Sequence, residues 1–327
     1  MKSIESEIKD LIKKLFSEKK IEVFIGYENG TLPLRTTPYF VSPNDDLDKL
    51  AWNRFCSNNL AVYLPRVVAK KKGGNSCKVG ILCKGCDSRS VVGLIKEKQL
   101  SRNDVFIIGI VCPGIIDTKK ILSEIKSSDI EHIDEDDENI MVKFKDGKKN
   151  FRKKDHLYEC CINCEFTTPF VYDTLIGDGK SSSNTITSSQ KVAEFSAKSR
   201  QERWQIFEQE LTKCIRCYAC RNACPNCYCK ECFAEQTKPK WFSVTNDLSD
   251  IIFYHIGRIF HQAGRCVDCG ACVRACPMDV DLRLFTRMLV DEVKERFGYD
   301  PGLNFEEAPP LTTFASDDKQ EFITEPS

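Results

Sequence analysis

The sequence predicts two units in series: an α/β domain, with a parallel or mixed sheet and flanking helices, and then an all-α domain. Three observations carry this. Residues 79–82 and 105–111 are short apolar runs with a helical pattern between them, as in a strand–helix–strand unit. Two complete cysteine runs, 214–225 and 266–277, dominate the C-terminal part. Residues 251–262 and 282–297, between and after those runs, keep helical spacing.

Composition narrows the function classes. At 327 residues the chain has room for roughly two domains. Hydrophobic residues are 41% and charged residues 29%, ordinary for a soluble globular protein. Lys and Arg total 48, as do Asp and Glu, so net charge offers no case for nucleic acid. No apolar run approaches the roughly 18 residues of a membrane span. Residues 1–20 read as charged and amphipathic, not as a secretory signal. With no such signal, 19 cysteines imply a reducing cytoplasm, where thiols serve as metal ligands.

Taken in order, Ile4, Ile8, Leu11, Ile12, Leu15 and Phe16 recur at helical spacing and predict an amphipathic helix facing the core. Residues 21–25 read as a strand, and 31–39, with Pro33 and Pro38, as irregular or edge-like. Asn44 is expected to cap a helix over Leu47, Leu50, Ala51, Trp52 and Phe55. Residues 60–64 then read as a buried strand and 70–75 as a basic, glycine-containing turn. Strand 79–82, a helix opening at Asp87 or Ser88, and strand 105–111 form a parallel pair with a right-handed crossover. Parallel strands end on one side of the sheet. Cys83 and Cys86 after the first strand and Cys112 after the second should therefore meet at its carboxyl edge. A helix over 117–125, an exposed acidic stretch at 131–138 and a hairpin around Asp146 and Gly147 follow. Residues 181–190 read as a Ser/Thr-rich linker, 196–211 as a helix and 312–327 as a polar tail. The expected division is 1–75 and 76–195 for the α/β domain, 196–303 for the helical domain and 304–327 for the tail.

Both cysteine runs have the form C-x2-C-x2-C-x3-C-P: Cys214, Cys217, Cys220, Cys224 with Pro225, and Cys266, Cys269, Cys272, Cys276 with Pro277. This run ligates 4Fe–4S clusters, three thiolates wrapping one cluster and the fourth reaching the other. One cluster is thus assigned Cys214, Cys217, Cys220 and Cys276, and the other Cys266, Cys269, Cys272 and Cys224. Zinc fits the third regularly spaced cysteine poorly, and disulfides need an oxidising compartment. The runs lie farther apart than in a compact two-cluster ferredoxin. With the helical stretch between them, they predict an all-α helical ferredoxin-like domain. Cys86, Cys112, Cys161 and Cys164 offer a third set of four, with Cys83 and Cys160 as neighbours able to substitute. Buried structural thiols are the competing reading. Cys227, Cys229 and Cys232 either hold a metal with one outside ligand or pack as thiols near a cluster. Cys56 and Cys77 read as core residues, and His255 and His261 as packing or hydrogen-bonding residues.

The first run with Cys227, Cys229 and Cys232, the segment 266–279, and the helix ending Phe297-Gly298-Tyr299-Asp300-Pro301-Gly302 resemble the beta subunit of deazaflavin (F420)-dependent formate dehydrogenase. The related F420-reducing hydrogenase beta subunits share Gly85-Cys86-Asp87, residues 108–112, Cys161 with Cys164, Asp173 and Gly177-Asp178-Gly179. The resemblance spans 79–302. It implies an α/β domain carrying FAD and one 4Fe–4S cluster, on Cys86, Cys112, Cys161 and Cys164, followed by a two-cluster ferredoxin module. It also makes Cys227, Cys229 and Cys232 look like a family feature. The chain departs from the family in 1–75, which lacks the glycine-pair segment that opens the flavin-binding region; Gly73-Gly74 runs into Asn75-Ser76-Cys77 instead.

The expected function is that of an iron–sulfur electron-transfer subunit in a cytoplasmic multi-subunit oxidoreductase. Its clusters would link a dehydrogenase, hydrogenase or flavin partner to a heterodisulfide-reductase-like subunit or ferredoxin. No acid–base or nucleophilic constellation is visible, so no catalytic residue is assigned. The alternative is an FAD-containing subunit exchanging hydride with a deazaflavin or nicotinamide. A scaffold whose clusters only hold the fold is the third class.

Overall fold

A computed structural model describes residues 3–71, 78–125, 130–162, 164–177 and 190–313. The chain opens on α1 (Ile4–Ser17), capped by the Ser3 hydroxyl, which accepts from the Ser6 N–H. Ile8, Ile12 and Leu15 turn inward and join the core of a five-stranded mixed sheet. Its strands are β1 (Ile21–Asn29), β2 (Thr36–Val41), β3 (Lys78–Cys83), β4 (Val105–Ile110) and β8 (Thr174–Ile176). The order is β2-β1-β3-β4-β8, with β2 antiparallel at one edge and the rest parallel. Pro38 lies on that edge strand, where a missing N–H is tolerated. Every residue of β3 after Lys78, and all of β4 but Phe106, is buried, which is why both read as continuous apolar runs.

The helix α3 (Gly85–Lys96) returns the chain from β3 to β4. It opens two residues earlier than the sequence suggests. Asp87 is its third residue, and its carboxylate accepts from the Lys84 N–H at 3.1 Å. Cys83 pairs with Gly109, so the two strands finish level. Cys86 and Cys112 leave that common edge from adjacent strands.

Two expectations upstream fail for one reason: side chains that bond the nearby backbone. The helix expected over 47–55 is only a single tight turn, Leu47–Lys49, after which Leu50 bridges back to Glu28. Asp46 accepts from the Asp48 N–H and Asn53 from the Phe55 N–H, and such local bonds compete with a helix. The strand expected at 60–64 is a helical turn leading into α2 (Leu64–Lys71). Asn59 accepts from the Ala61 N–H and starts that turn, and Leu60, Leu64 and Val68 then bury at helical spacing.

A second, antiparallel sheet is built from β5 (Ile130–Glu135), β6 (Asn139–Phe144) and β7 (Gly147–Arg152). The expected hairpin is β6–β7, and much of the acidic stretch forms the edge strand β5. This sheet closes over α4 (Thr118–Glu124) through Ile121, Ile140, Val142 and Phe151. The short α5 (Glu159–Ile162) carries Cys160 and Cys161.

The C-terminal region is helical: α6 (Gln190–Ser196), α7 (Arg200–Leu211), α8 (Ala219–Asn222), α9 (Leu248–Phe260), α10 (Ala271–Arg274) and α11 (Leu282–Phe297). The single helix expected over 196–211 is broken, because Ser199 and Glu202 form a capping box that starts α7. Phe195, Phe207 and Phe285 pack edge to face in its core, with Leu211, Ile251, Val280 and Leu282.

This region docks on α3. The Arg89 guanidinium donates to the Pro301 carbonyl from Nε (2.9 Å) and Nη2 (2.7 Å). Gly302 has φ +77°, and a Cβ there would strike the Arg89 carbonyl. Glu97, at the end of α3, pairs with Arg265 and accepts from the Tyr228 hydroxyl. The 297–302 segment is thus a docking strap. Cys77, the Gly73-Gly74 pair, Asp178, Gly179, residues 181–189 and residues 314–327 lie outside the described residues. Among the described residues no helix is long and apolar enough to cross a membrane.

Candidate metal centre

The carboxyl edge of the five-stranded sheet faces the helical region across a cavity of about 250 Å³. Cys86, Cys112, Cys160, Cys161 and Cys164 line it from the α/β side, and Cys269 with Arg274 from the helical side. Cys86 comes from the first turn of α3, Cys112 from the end of β4, and the others from α5 and the loop after it. Gly85 is required here, since a Cβ would collide with the Phe166 carbonyl. Burial pushes Cys112 up to about 11, against the nearby Lys84. Burial, then Asp87, raises Cys86 as well. Cys160 Sγ lies 3.9 Å from Cys161 Sγ and 3.5 Å from Arg274 Nη1.

Lys84 and Arg274 bring positive charge to this cavity. Lys84 is buried, its ammonium 2.9 Å from Asp87 and donating to the Asn58 carbonyl at 2.9 Å. Arg274 donates to the Cys269 carbonyl at 2.6 Å. Burial opposes the Arg274 charge, but Cys160, Cys269, Cys161 and Cys86 hold its pKa above the ordinary value.

The two ferredoxin-type runs interleave. Cys224, from the first run, lines a small cavity with Cys266, Cys269 and Cys272 from the second. Burial, with Cys224 and Cys269 adding, pushes Cys272 up to about 12. In the other direction, burial raises Cys214, and Cys220, Cys276 and Cys217 add to it. Cys220 is likewise raised by burial, with Cys276 and Cys217 contributing. Each run turns through a left-handed residue, Tyr218 at φ +60° and Gly270 at φ +70°, and enters a single-turn helix, α8 or α10. Cys269 belongs to the walls of both cavities.

The remaining candidates have separate neighbours. Cys227 accepts from Gln262 Nε2 at 3.8 Å, beside Cys224. Cys229 is exposed, and the Cys232 N–H donates to Glu235 at 3.3 Å. Cys56 and Cys83 are fully buried in the sheet core, and Cys83 does not reach the cavity wall. His261 stands edge-on to Phe233 with ring centres 4.9 Å apart. His255 is buried, with Nε2 3.3 Å from Cys214 Sγ. Burial, then Arg258 and Arg216, pushes its pKa down to about 3, so it stands neutral at pH 7. Among the described residues no three His, Cys, Asp or Glu side chains group closely enough for a single metal ion. The thiols of the α/β site and of the Cys266 set instead ring cavities.

Those cavities present buried polar atoms that fit an anionic group. Thr167 Oγ1, on the wall of the larger one, is buried with no hydrogen-bond partner, as are Nε and Nη1 of Arg258 on the wall of the smaller. Soft thiol donors and unanswered buried donors suit an iron–sulfur cluster, whose sulfurs accept hydrogen bonds. Sequence reasoning missed Lys84, Arg258 and Arg274. The available signal for Arg258 was its place, with His255, among the apolar residues of the second half of α9.

The model of the 4Fe-4S binding domain family matches residues 260–280. The chain is 24% identical over 92% of its length to the F420-dependent formate dehydrogenase subunit beta of Methanocaldococcus jannaschii, covering 92% of that protein. It is 23% identical over 92% of its length to the F420-dependent formate dehydrogenase 1 subunit beta of Methanococcus maripaludis, covering 91% of it. A solved chain of the xenon-derivatised F420-reducing [NiFe] hydrogenase complex from Methanosarcina barkeri aligns at 17% identity and a TM-score of 0.37. That alignment covers 48% of this chain and 58% of the other, too slight a likeness to transfer architecture. The cysteine runs and the comparisons agree: over nearly its whole length this chain is similar to F420-dependent formate dehydrogenase beta subunits, and its second cysteine run matches the 4Fe-4S binding domain.

Proposed function

We propose that the chain is an iron–sulfur electron-transfer subunit of a multi-subunit oxidoreductase of the F420-dependent formate dehydrogenase or hydrogenase type. The observation that carries this is the shared wall: Cys269 lines both thiol cavities, which supports a metal site in the α/β part standing next to one in the helical region. Cys86, Cys112, Cys161 and Cys164 hold one 4Fe–4S cluster in the α/β cavity. Cys266, Cys269, Cys272 and Cys224 hold the second, and Cys214, Cys217, Cys220 and Cys276 the third. Residues 196–303 act as a helical ferredoxin-like domain on the α/β part, 1–75 with 76–195, and 304–327 form a tail. Bound clusters would supply one-electron transfer. The protein orders the thiols, gives up their protons on loading, and places Lys84, Arg274 and Arg258 where they offset negative charge. The partners are a dehydrogenase or hydrogenase subunit on one side and a heterodisulfide-reductase-like subunit or ferredoxin on the other, in the cytoplasm.

The test is metal content with redox titration. Anaerobically reconstituted protein is expected to hold about twelve irons per chain, four for each of three clusters. About eight would remove the α/β site, and zinc in place of iron would overturn the reading. Clusters that exchange no electrons with any redox partner would leave a scaffold only.

One observation favours a second reading, an FAD-containing subunit that exchanges hydride with a deazaflavin or nicotinamide. A cavity of about 630 Å³, bordered by Trp52, Arg54, Glu135 and Lys153, shares Pro113, Gly114 and Ile115 with the thiol cavity. That is room for a cofactor beside the sheet edge. Flavin content of the anaerobically purified protein separates the two readings.

A further inference from the structure

Arg258 occupies an unusual place for a guanidinium. It is 3% exposed, on the α9 face that looks between the two cysteine runs. Its Nη2 donates to the Cys220 carbonyl at 3.0 Å, while Nε and Nη1 have no partner. No carboxylate pairs with it among the described residues. The thiols beside it come from both assigned ligand sets: Cys220 from one, Cys224 and Cys272 from the other, with Cys227 next to them. It also lines the cavity of Cys224, Cys266, Cys269 and Cys272. Burying an unpaired cation is costly. The cation therefore needs an anionic partner that the polypeptide alone does not supply.

We propose that Arg258 is a shared positioning residue for the two clusters of the helical region, donating N–H···S hydrogen bonds towards both and raising both reduction potentials together. The inference rests on the proposed function only in requiring that both clusters form. Reduction adds negative charge to a cluster, and a fixed cation nearby favours it. Charge, hydrogen bonds to sulfur and burial are the levers that set such potentials. The planar guanidinium presents donors in more than one direction, so one side chain can serve two acceptors; an ammonium is a point charge on a flexible stem. The polar residues on and just after α9 follow the same division. His255 lies against Cys214, while Gln262 lies against Cys224 and Cys227. Each of these serves one side, and Arg258 stands between them in sequence and faces both.

The experiment compares wild type, Arg258→Gln and Arg258→Lys after anaerobic reconstitution, by iron content and by redox titration followed with electron paramagnetic resonance. In Arg258→Gln both clusters of the helical region are expected to shift to more negative potential, while the α/β cluster keeps its own. Arg258→Lys keeps the charge without the fork, so both potentials fall by less. If the glutamine variant fails to hold iron, the lysine variant decides. Unmoved potentials, or movement of one cluster alone, in a variant with full iron content overturn the proposal. Wild-type protein that holds no cluster pair would instead sink the functional reading.

Discussion

Cys224 and Cys276 are each bound into one sequence run and face the other. Cys276 adds to the raised pKa of Cys214 and Cys220, and Cys224 lines the cavity of Cys266, Cys269 and Cys272. The reason is local. Each run leaves its left-handed residue into one helical turn, α8 or α10, and the fourth cysteine emerges beyond that turn. The two short helices pack against each other, which turns each fourth thiol towards the partner loop. Cys276→Ser should therefore weaken the cluster of Cys214, Cys217 and Cys220 and spare that of Cys266, Cys269 and Cys272. Electron paramagnetic resonance during stepwise reduction of the variant reads this directly. Loss of the Cys266-set signal with the Cys214-set signal intact would mean that each run closes on itself.

Among the elements, the turn before α10 is the most constrained. Gly270 has φ +70°, and an added Cβ would lie 2.5 Å from Cys160 Sγ and 3.1 Å from Arg274 Nη1. The equivalent position before α8 is Tyr218, which takes the same left-handed backbone and packs edge-on to Tyr254 at 5.2 Å. Only the second turn sits against another thiol, so only there does the side chain have to vanish. Gly270→Ala should cost about 1–2 kcal/mol for the left-handed backbone alone, and more for displacing Cys160. The check is a lower denaturation midpoint together with a changed signal from the α/β cluster; a midpoint equal to wild type would show that the junction yields freely. This contrast also marks how far the sequence could be read. The crossover unit and the cysteine runs are legible because their periodicity and spacing are local. The turns at 47–49 and 60–63 are not, because Asp46, Asn53 and Asn59 bond nearby backbone amides where apolar spacing suggested other elements. Arg258, Lys84 and Arg274 are hidden for a different reason. A charged residue beside apolar ones ordinarily reads as a solvated face, and only the packed structure shows these three on the walls of the thiol cavities.

At the scale of the whole molecule, the two parts differ in what holds them. The five-stranded sheet has a continuous apolar core in which Ile25, Val79, Ile81, Val105, Ile107 and Ile110 are all fully buried. Its cavity thiols sit at the rim of that core. The helical core instead includes Cys220 and Cys276, with Cys214 and Cys272 packed against it. The elements carrying Cys220 and Cys272, α8 and α10, are single turns too short to persist without tertiary support. Free energy released by metal binding is therefore part of the folding free energy of this region more than of the sheet. Removing iron from reconstituted protein with a chelator, under anaerobic and reducing conditions, should open the helical region first. Hydrogen exchange followed by mass spectrometry gives the map: amides in 214–225 and 266–280 are expected to lose protection while β3 and β4 keep theirs. The strap at 297–302 is tied to Arg89 on α3 by two hydrogen bonds to one carbonyl, so it should loosen with the helical region rather than stay with the sheet. Uniform loss across both parts would show that the clusters support the whole chain. Unchanged protection at 214–225 and 266–280 would show that the helical region stands on its apolar core alone, and the coupling argued here would be wrong.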